Sequence, residues 1–289
     1  RLVSDWSSDV CSSDLVDTKP AHWLSSPVVG VLALAVFALV LGTWLAYTPP
    51  DLLGKADAIG YAICHRIDLR SFHLGDRQMP LCARCTGIYL GALSSLITLA
   101  VLGRGRAGGL PTTPLMVVLI AFIGVMGVDG VNSYMGLFQG RLPQLYRPSN
   151  ELRLITGALT GIAVAGLVYP VFNQTLWRGW TLEPMLGRWR DLALLLGVNA
   201  IVVALVLTNE FAVLYPLALL SALGVLVLLT MLYTIGVLLI ARRDATLTGW
   251  RQAALPLLLG LTLAIVQIAV VDAVRYGLFG TWAGLPLAG

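Results

Sequence analysis

Charged side chains are scarce in this sequence: Asp, Glu, Lys and Arg together make up 12% of its 289 residues. A soluble domain carries about twice that fraction. Hydrophobic residues make up 57% of the chain, and the mean hydropathy is +0.83. The arginines are scattered over connections and form no basic stripe, so nucleic acid is excluded as a partner. The composition therefore excludes an ordinary soluble domain and favours a protein whose partner is the lipid bilayer.

Cysteine and histidine are also rare, with 4 and 3 copies. Such a count does not suit a disulfide framework. Cys11 lies in the stretch 1–15, RLVSDWSSDVCSSDL, which has neither the basic nor the apolar region of a signal peptide. We interpret 1–15 as the translation of a sequencing-library adapter, so that the authentic start lies elsewhere. The other three cysteines all lie between Cys64 and Cys85.

Long apolar runs, in contrast, are abundant. Most of them reach the ~20 residues that a helix needs to cross a bilayer. The pattern predicts an all-α fold, a polytopic transmembrane bundle of about seven spans. The predicted spans are 27–47, 80–102, 115–134, 150–172, 193–207, 211–241 and 253–279.

The polar stretches between these runs divide the chain. Within the longest one, 56–66 has helical spacing typical of an interfacial helix and 70–80 is predicted to be a loop. Pro80 suits the first turn of the next helix. The tryptophan-bearing connection 173–191 is typical of segments that rest at the headgroup level. The resulting parts are 1–15, 16–50 with the first span, 51–172 with three spans, and 173–289 with three more.

Two predicted spans carry glycines four residues apart. Gly87 and Gly91 lie in the second span, and Gly157 and Gly161 lie in the fourth. Small residues at this spacing let two helix backbones approach closely in a membrane. We therefore expect helix packing at these glycines and no phosphate-binding loop.

An alternating seven-helix path places the polar helix ends on one side of the bundle. Ionisable residues at membrane depth are costly unless paired, so they usually line a site. One pocket on that side is our prediction, and interfacial ion pairs (Asp129 with Arg153, Asp272 with Arg275) are the alternative. The basic residues of the connections favour a cytoplasmic N-terminus and an extracytoplasmic pocket. The pocket would collect Cys64, His65, Cys82, Cys85, Asp129, Asn132, Asn150, Arg153, Glu210, Asp272 and Arg275.

The cysteines and a neighbouring histidine suggest a metal site. Cys82 and Cys85 lie three residues apart at a predicted helix start, where the helix dipole and Arg84 favour the thiolate. Together with Cys64 and His65 they make up a Cys₃His shell, which is a normal set of zinc ligands. Because Cys64 and His65 are adjacent, both can bind one ion only where the backbone is irregular.

Two other interpretations of the cysteines stay open. The C-x-x-C pair also suits thiol–disulfide exchange, with Cys64 as a partner thiol, and buried thiols can be inert packing residues. Haem is disfavoured because Thr86 stands where the c-type motif needs histidine. The sequence does not decide between a structural site, a catalytic site, and a scaffold or transporter. For a catalytic site, the metal would activate water and Asp129 would be the candidate base.

The polar motifs also match a known pattern in order and spacing. They cover about 60–170 of the chain. The motifs are Cys64-His65, Arg70-Ser71-Phe72, PLCARCTGIYLG at 80–91, Asp129-Gly130, and the spaced set of Asn150, Arg153 and Gly157.

In these motifs the chain resembles an uncharacterised prokaryotic multi-pass membrane protein family, a domain of unknown function. The resemblance implies a location in the prokaryotic cell membrane and implies that the motif residues act together. It implies no particular reaction or substrate. It favours His65 over His73 as a metal ligand, because His73 lies outside the pattern. The expected pocket around the metal consists of Arg70, Ser71, Arg84, Asp129, Asn150 and Arg153.

Overall fold

The computed structural model describes residues 26–136 and 144–284, so the predictions for 1–15 lie outside the described residues. Within the described ranges the chain forms eight α-helices and two small sheets. The helices are α1 Pro27–Tyr47, α2 Leu52–Ile63, α3 Ala83–Val101, α4 Thr113–Met135, α5 Asn150–Leu176, α6 Trp189–Leu207, α7 Phe211–Ile240 and α8 Trp250–Phe279. The strands are β1 His73–Leu74, β2 Arg77–Gln78, β3 Ala107–Gly109 and β4 Thr181–Pro184.

Every described helix except α2 is long and apolar enough to cross a membrane, which gives 7 candidate spans. The prediction of an all-α polytopic bundle is confirmed. Helix α6 begins at Trp189, earlier than the predicted residue 193, because the Asp191 carboxylate accepts the Arg188 amide and caps the helix start at 3.3 Å. The added turn brings this short apolar run to 19 residues.

The predicted packing at the glycine pairs is present between α3 and α5. A Cβ on Gly87 would lie 2.3 Å from the Leu154 carbonyl oxygen, and one on Gly157 would lie 2.3 Å from the Arg84 carbonyl oxygen. The two backbones are therefore in direct contact, as only glycine permits. Because both helices begin on the same side of the bundle, their first turns lie side by side.

Helix α2 begins and ends earlier than the predicted 56–66 and packs against other helices of the bundle. It begins at Leu52, after Asp51 accepts the Gly54 amide at 3.1 Å, and most of its residues are buried against other helices. A Cβ on Gly60 would lie 1.9 Å from the Pro80 carbonyl oxygen. This contact fixes the end of α2 against the segment that precedes α3.

The segment between α2 and α3 differs from the prediction in two ways. It contains an antiparallel hairpin, β1–β2, which turns at Gly75 with φ of +62°. Pro80 lies before α3 and not in its first turn, since Cys82 is extended (φ −64°, ψ 160°) and takes the N-cap position. Helix α3 then begins at Ala83.

The connection after α5 also packs differently from the expectation. Strand β4 pairs in parallel with β3. Trp177 is 2% exposed, stacks edge-on against Trp250 and lies under the Arg106 guanidinium. It therefore packs into the protein and does not face the headgroups. Trp189 is exposed, in keeping with the prediction for this connection.

Candidate metal centre and its polar surroundings

Three cysteines converge where α2 ends and α3 begins. Cys64 is the C-cap residue of α2, Cys82 is the N-cap residue of α3, and Cys85 lies in the first turn of α3. Their three sulfur atoms all lie within 4.8 Å of one another, and none is in a disulfide. Cys64 and Cys82 are only 4% and 3% exposed. We call the side of the bundle that holds them the cysteine face.

The backbone around Cys64 presents donors to its sulfur. Arg66 takes a left-handed conformation (φ 49°), and its amide donates to the Cys64 Sγ at 3.4 Å. The Cys82 amide donates to the same sulfur at 3.4 Å. Hydrogen bonds from the thiols of Cys82 and Cys85 lower the pKa of Cys64, and the bond that Cys82 makes to Cys64 raises the pKa of Cys82. Cys64 is therefore the sulfur that most favours the charged form.

His65 is beside this cluster but not within the group of mutually close ligand atoms. Its Nδ1 accepts the Ile67 amide at 3.2 Å, so the proton of the neutral ring is on Nε2. The ring is partly buried, and burial lowers the pKa of His65. His73 lies further away on the hairpin, where it pairs with Asp68 at 2.9 Å.

Ion pairs hold the segment between α2 and α3, which follows Cys64, against α2. Arg66 pairs with Asp57 at 2.9 Å, and Arg77 reaches the second oxygen of Asp57 at 2.7 Å and also Asp51 at 2.8 Å. Arg66 is 5% exposed. The buried carboxylate of Asp57 therefore holds both the chain before the hairpin, through Arg66, and the second strand of the hairpin, through Arg77.

Helix α8 reaches the same segment through Arg275. Its Nη1 donates to the Cys64 carbonyl at 2.8 Å and also to the Tyr61 carbonyl. The guanidinium carbon lies 3.9 Å from the centre of the Tyr61 ring. The predicted position of Arg275 on the cysteine face is thus observed.

Asp129 connects three helices on the other side of the cysteines. It is 1% exposed and forms an ion pair with Arg84 of α3. The Tyr146 hydroxyl donates to its Oδ1 at 2.7 Å. The Thr156 hydroxyl of α5, which donates to the Leu152 carbonyl at 2.9 Å, lies 3.4 Å from the Asp129 Oδ2. Burial and the bond to Asp129 raise the pKa of Tyr146. Both carboxylate oxygens are already hydrogen-bonded.

The remaining motif residues surround this ion pair. Arg70 donates to the Ser133 carbonyl of α4 at 3.0 Å, and Arg153 donates to the Asn150 side chain at 2.8 Å. The Asn150 amide group also contacts the carbonyls of Leu69 and Ser71 at 3.3 Å. These bonds attach the loop before the hairpin to the start of α5.

Three other predicted pocket residues, Asn132, Asp272 and Glu210, do not contact the cysteines in the part of the chain that the structure describes. Asn132 binds the backbone of the loop after α4, donating to the Tyr146 carbonyl at 2.9 Å and accepting the Leu145 amide at 2.8 Å. Asp272 accepts the Trp44 indole N–H at 3.1 Å. Glu210 is exposed at the start of α7.

Most of these residues therefore lie on the predicted side of the bundle. They form two adjacent groups, one around the three cysteines and one around Asp129, instead of one pocket. Neither alternative ion pair, Asp129 with Arg153 or Asp272 with Arg275, occurs within 26–136 and 144–284.

Sequence reasoning missed several residues of these groups. Tyr146 follows α4 in a loop without any distinctive pattern, and Ser133 is an ordinary helical serine. Asp57 lies inside a helix whose burial was not expected. Its charge within an otherwise apolar stretch of α2 was the one available signal, because such a charge needs a partner.

The fold and the cysteine cluster define a multi-pass membrane protein whose thiols are gathered at one end of the helices. The family model of a predicted membrane protein, DUF2085, matches residues 64–167. An uncharacterized protein of Methanocaldococcus jannaschii is 32% identical over 121 residues, which is 42% of this chain and 70% of that protein. An uncharacterized protein of Methanothermobacter thermautotrophicus is 35% identical over 106 residues, 36% of this chain and 83% of that protein.

The chain belongs to the DUF2085 family of predicted membrane proteins. The resemblance seen in the sequence is confirmed, and the matched range falls within the expected 60–170. No solved structure is significantly similar to the chain. Because these relatives carry no assigned activity, what the site does has to be argued from its own geometry.

Proposed function

We propose that this membrane protein holds one zinc-type metal ion between Cys64, Cys82 and Cys85. The observation that carries the proposal is the distance limit of 4.8 Å between any two of their sulfurs. Tetrahedral zinc with Zn–S bonds of about 2.3 Å needs sulfurs about 3.8 Å apart. Small side-chain rotations close that difference. The amides that donate to the Cys64 Sγ are the kind of outer contacts that stabilise a charged ligand.

Three thiolates leave one tetrahedral position for a fourth ligand. His65 is next in the chain, but its Nδ1 accepts the Ile67 amide and its Nε2 carries the proton, so neither nitrogen offers a free lone pair. His65 can complete the shell only if that hydrogen bond opens and the ring turns. Water in the fourth position would leave an open site of the kind that catalytic zinc uses. His65→Ala separates the two arrangements, because it leaves the absorption spectrum of bound cobalt unchanged if water is the fourth ligand and shifts it if histidine is.

A structural role is supported better than a hydrolytic one. Asp129, the candidate base, is already engaged by Arg84 and Tyr146, and a base role would require one of these bonds to open. The metal would instead fix the end of α2 to the start of α3. The extracytoplasmic orientation of the cysteine face stays a prediction.

Metal content tests the proposal directly. The full chain would be purified in detergent without affinity metals, and its metals measured by inductively coupled plasma mass spectrometry. We expect about one zinc per chain, lost in Cys82→Ser and kept in the matched control Cys11→Ser. Stripping the unmodified protein with a chelator and adding cobalt checks the ligands without a variant, since cobalt–thiolate bands report sulfur ligation. Metal-free protein that takes up no cobalt would refute the proposal.

Thiol–disulfide exchange is the second candidate, favoured by a third free thiol beside the C-x-x-C pair. The burial of Cys64 and Cys82 counts against it, since a partner protein has to reach the attacking sulfur. Protein that contains no metal but forms and reduces a Cys82–Cys85 disulfide reversibly would favour this candidate over the metal site.

A further inference from the structure

Three neighbouring arginines on the cysteine face differ in how their charges are balanced. Arg84 is ion-paired with Asp129, whereas Arg70 and Arg153 have no ion pair within 26–136 and 144–284. Arg70 and Arg84 both donate to Ser133, to its carbonyl at 3.0 Å and to its hydroxyl at 3.2 Å. The charges of both arginines act on Arg153. Burial and the charge of Arg84 both lower the pKa of Arg70. We call Arg70, Arg84 and Arg153 the arginine pocket.

Neighbouring acids do not balance this charge. The Asp68 side chain is 72% exposed and pairs with His73, and Glu151 is exposed to solvent. The sulfur cluster adds at most one negative charge, either as a single thiolate or as three thiolates around a divalent ion. Asp129 adds one more. Within 26–136 and 144–284, at least one positive charge of the arginine pocket therefore lacks a partner, in a place where unpaired charge is costly.

The pocket also has unused hydrogen-bond donors. A guanidinium group carries five N–H donors in a planar fork. Arg153 is 8% exposed, uses one nitrogen for the Asn150 side chain, and has a buried Nε without a hydrogen-bond partner. Arg70 uses one nitrogen for the Ser133 carbonyl. Buried donors of this kind are rarely left unpaired in a folded protein.

We infer that the arginine pocket binds an oxyanion of the phosphate class. Arginine forks match the oxygens of a phosphate group, and a bound phosphate would supply the missing negative charge. The pocket lies where α3 and α5 begin and α4 ends, and all three helices are candidate membrane spans. The ends of membrane-spanning helices are where a chain meets lipid headgroups. The phosphate belongs either to a lipid headgroup or to a water-soluble ester. The inference goes beyond the metal site and holds whether or not a metal binds.

Thermal stability in detergent tests the inference, with intrinsic tryptophan fluorescence as the readout. One arm titrates inorganic phosphate against chloride at equal ionic strength. The other adds phosphatidic acid to the micelles and compares it with diacylglycerol, which has the same chains but no phosphate. The variant Arg153→Gln removes the most buried fork, and Arg251→Gln, exposed at the other end of the bundle, is the matched control.

We expect a saturable rise in melting temperature with the phosphate-bearing ligand. Arg153→Gln should weaken the apparent affinity about tenfold or more, as loss of charged hydrogen bonds does, and Arg251→Gln should leave it unchanged. If Arg153→Gln does not fold, Arg70→Gln at the half-buried rim serves instead. A response to phosphatidic acid alone identifies a lipid headgroup, and a response to both arms identifies a soluble phosphate. No rise in either arm, or equal rises in all variants, would overturn the inference.

Discussion

Replacing Asp129 by asparagine gives the sharpest test of how the cysteine face is held together. The side chains of Asp129 and Arg84 are 2% and 17% exposed, so Asp129→Asn leaves a mostly buried arginine without its counter-ion. Removing one partner of a buried pair costs about 3–5 kcal/mol of unfolding free energy. Asp68→Asn is the matched control, because Asp68 and His73 are 72% and 38% exposed. An exposed pair of that kind contributes about 0–1 kcal/mol.

Thermal unfolding in detergent measures the difference. One kcal/mol corresponds to about 2–4 °C for a chain of 150–250 residues. Asp129→Asn should therefore lower the melting temperature by about 6–20 °C, and Asp68→Asn by at most about 4 °C. The buffer should contain no phosphate, since an anion in the arginine pocket would change the balance of charge around Arg84.

The double variant decides whether the charge itself is responsible. Arg84→Gln combined with Asp129→Asn removes both charges, and it should be more stable than the sum of the two single losses implies. Equal destabilisation by Asp129→Asn and Asp68→Asn would refute a buried ion pair between α3 and α4. Strict additivity in the double variant would refute the coupling.

Two further variants test packing contacts. Gly60→Ala should lower zinc stoichiometry without removing a ligand, because its Cβ would lie 1.9 Å from the Pro80 oxygen and push α2 away from α3. The control Gly42→Ala, whose Cβ would have nothing within 4 Å, should keep the metal. Gly157→Ala should destabilise the protein by about 1–3 kcal/mol, because its Cβ would clash with the backbone of α3. The control Gly197→Ala, in open space, should be neutral or stabilising by up to about 1 kcal/mol. Thermal unfolding measures both variants. Full metal in Gly60→Ala, or an unchanged melting temperature in Gly157→Ala, would contradict these expectations.

The spans could be predicted from the sequence because their signal is local. The length of an apolar run indicates by itself a helix that crosses the bilayer. The glycine spacing of α3 and α5 likewise indicates a close contact between two helices. The predicted ends of the helices were less accurate than the spans themselves. Pro80 was placed in a helix whose actual start is set by the extended backbone of Cys82, and a helix start of that kind has no unique residue signal.

The assembly of the site depended on long-range contacts that composition does not reveal. The three cysteines were expected together, and their sulfurs are together. The orientation of His65 depends on a left-handed Arg66 and on the Ile67 amide, neither of which the sequence marks. The partner of Asp129 was expected to be Arg153 in the ion-pair alternative. The observed partner is Arg84.

The PLCARCTGIYLG motif can be understood as two stripes on one helix. Residues three or four apart share a helix face, so Cys82, Cys85 and Tyr89 form one stripe, which packs into the buried cluster with α2, α7 and α8. Arg84, Gly87 and Gly91 form the other stripe, in which the two glycines contact α5 and Arg84 pairs with Asp129 of α4. The spacing of the motif thus meets two separate demands on α3.

Because the stripes point in different directions, their functions should separate under mutation. Cys85→Ser should remove metal and leave the response to phosphate intact. Arg84→Gln should weaken that response and leave zinc stoichiometry near one per chain. Loss of both properties in each variant would instead indicate a single site, in which the metal and the arginine pocket act on the same ligand.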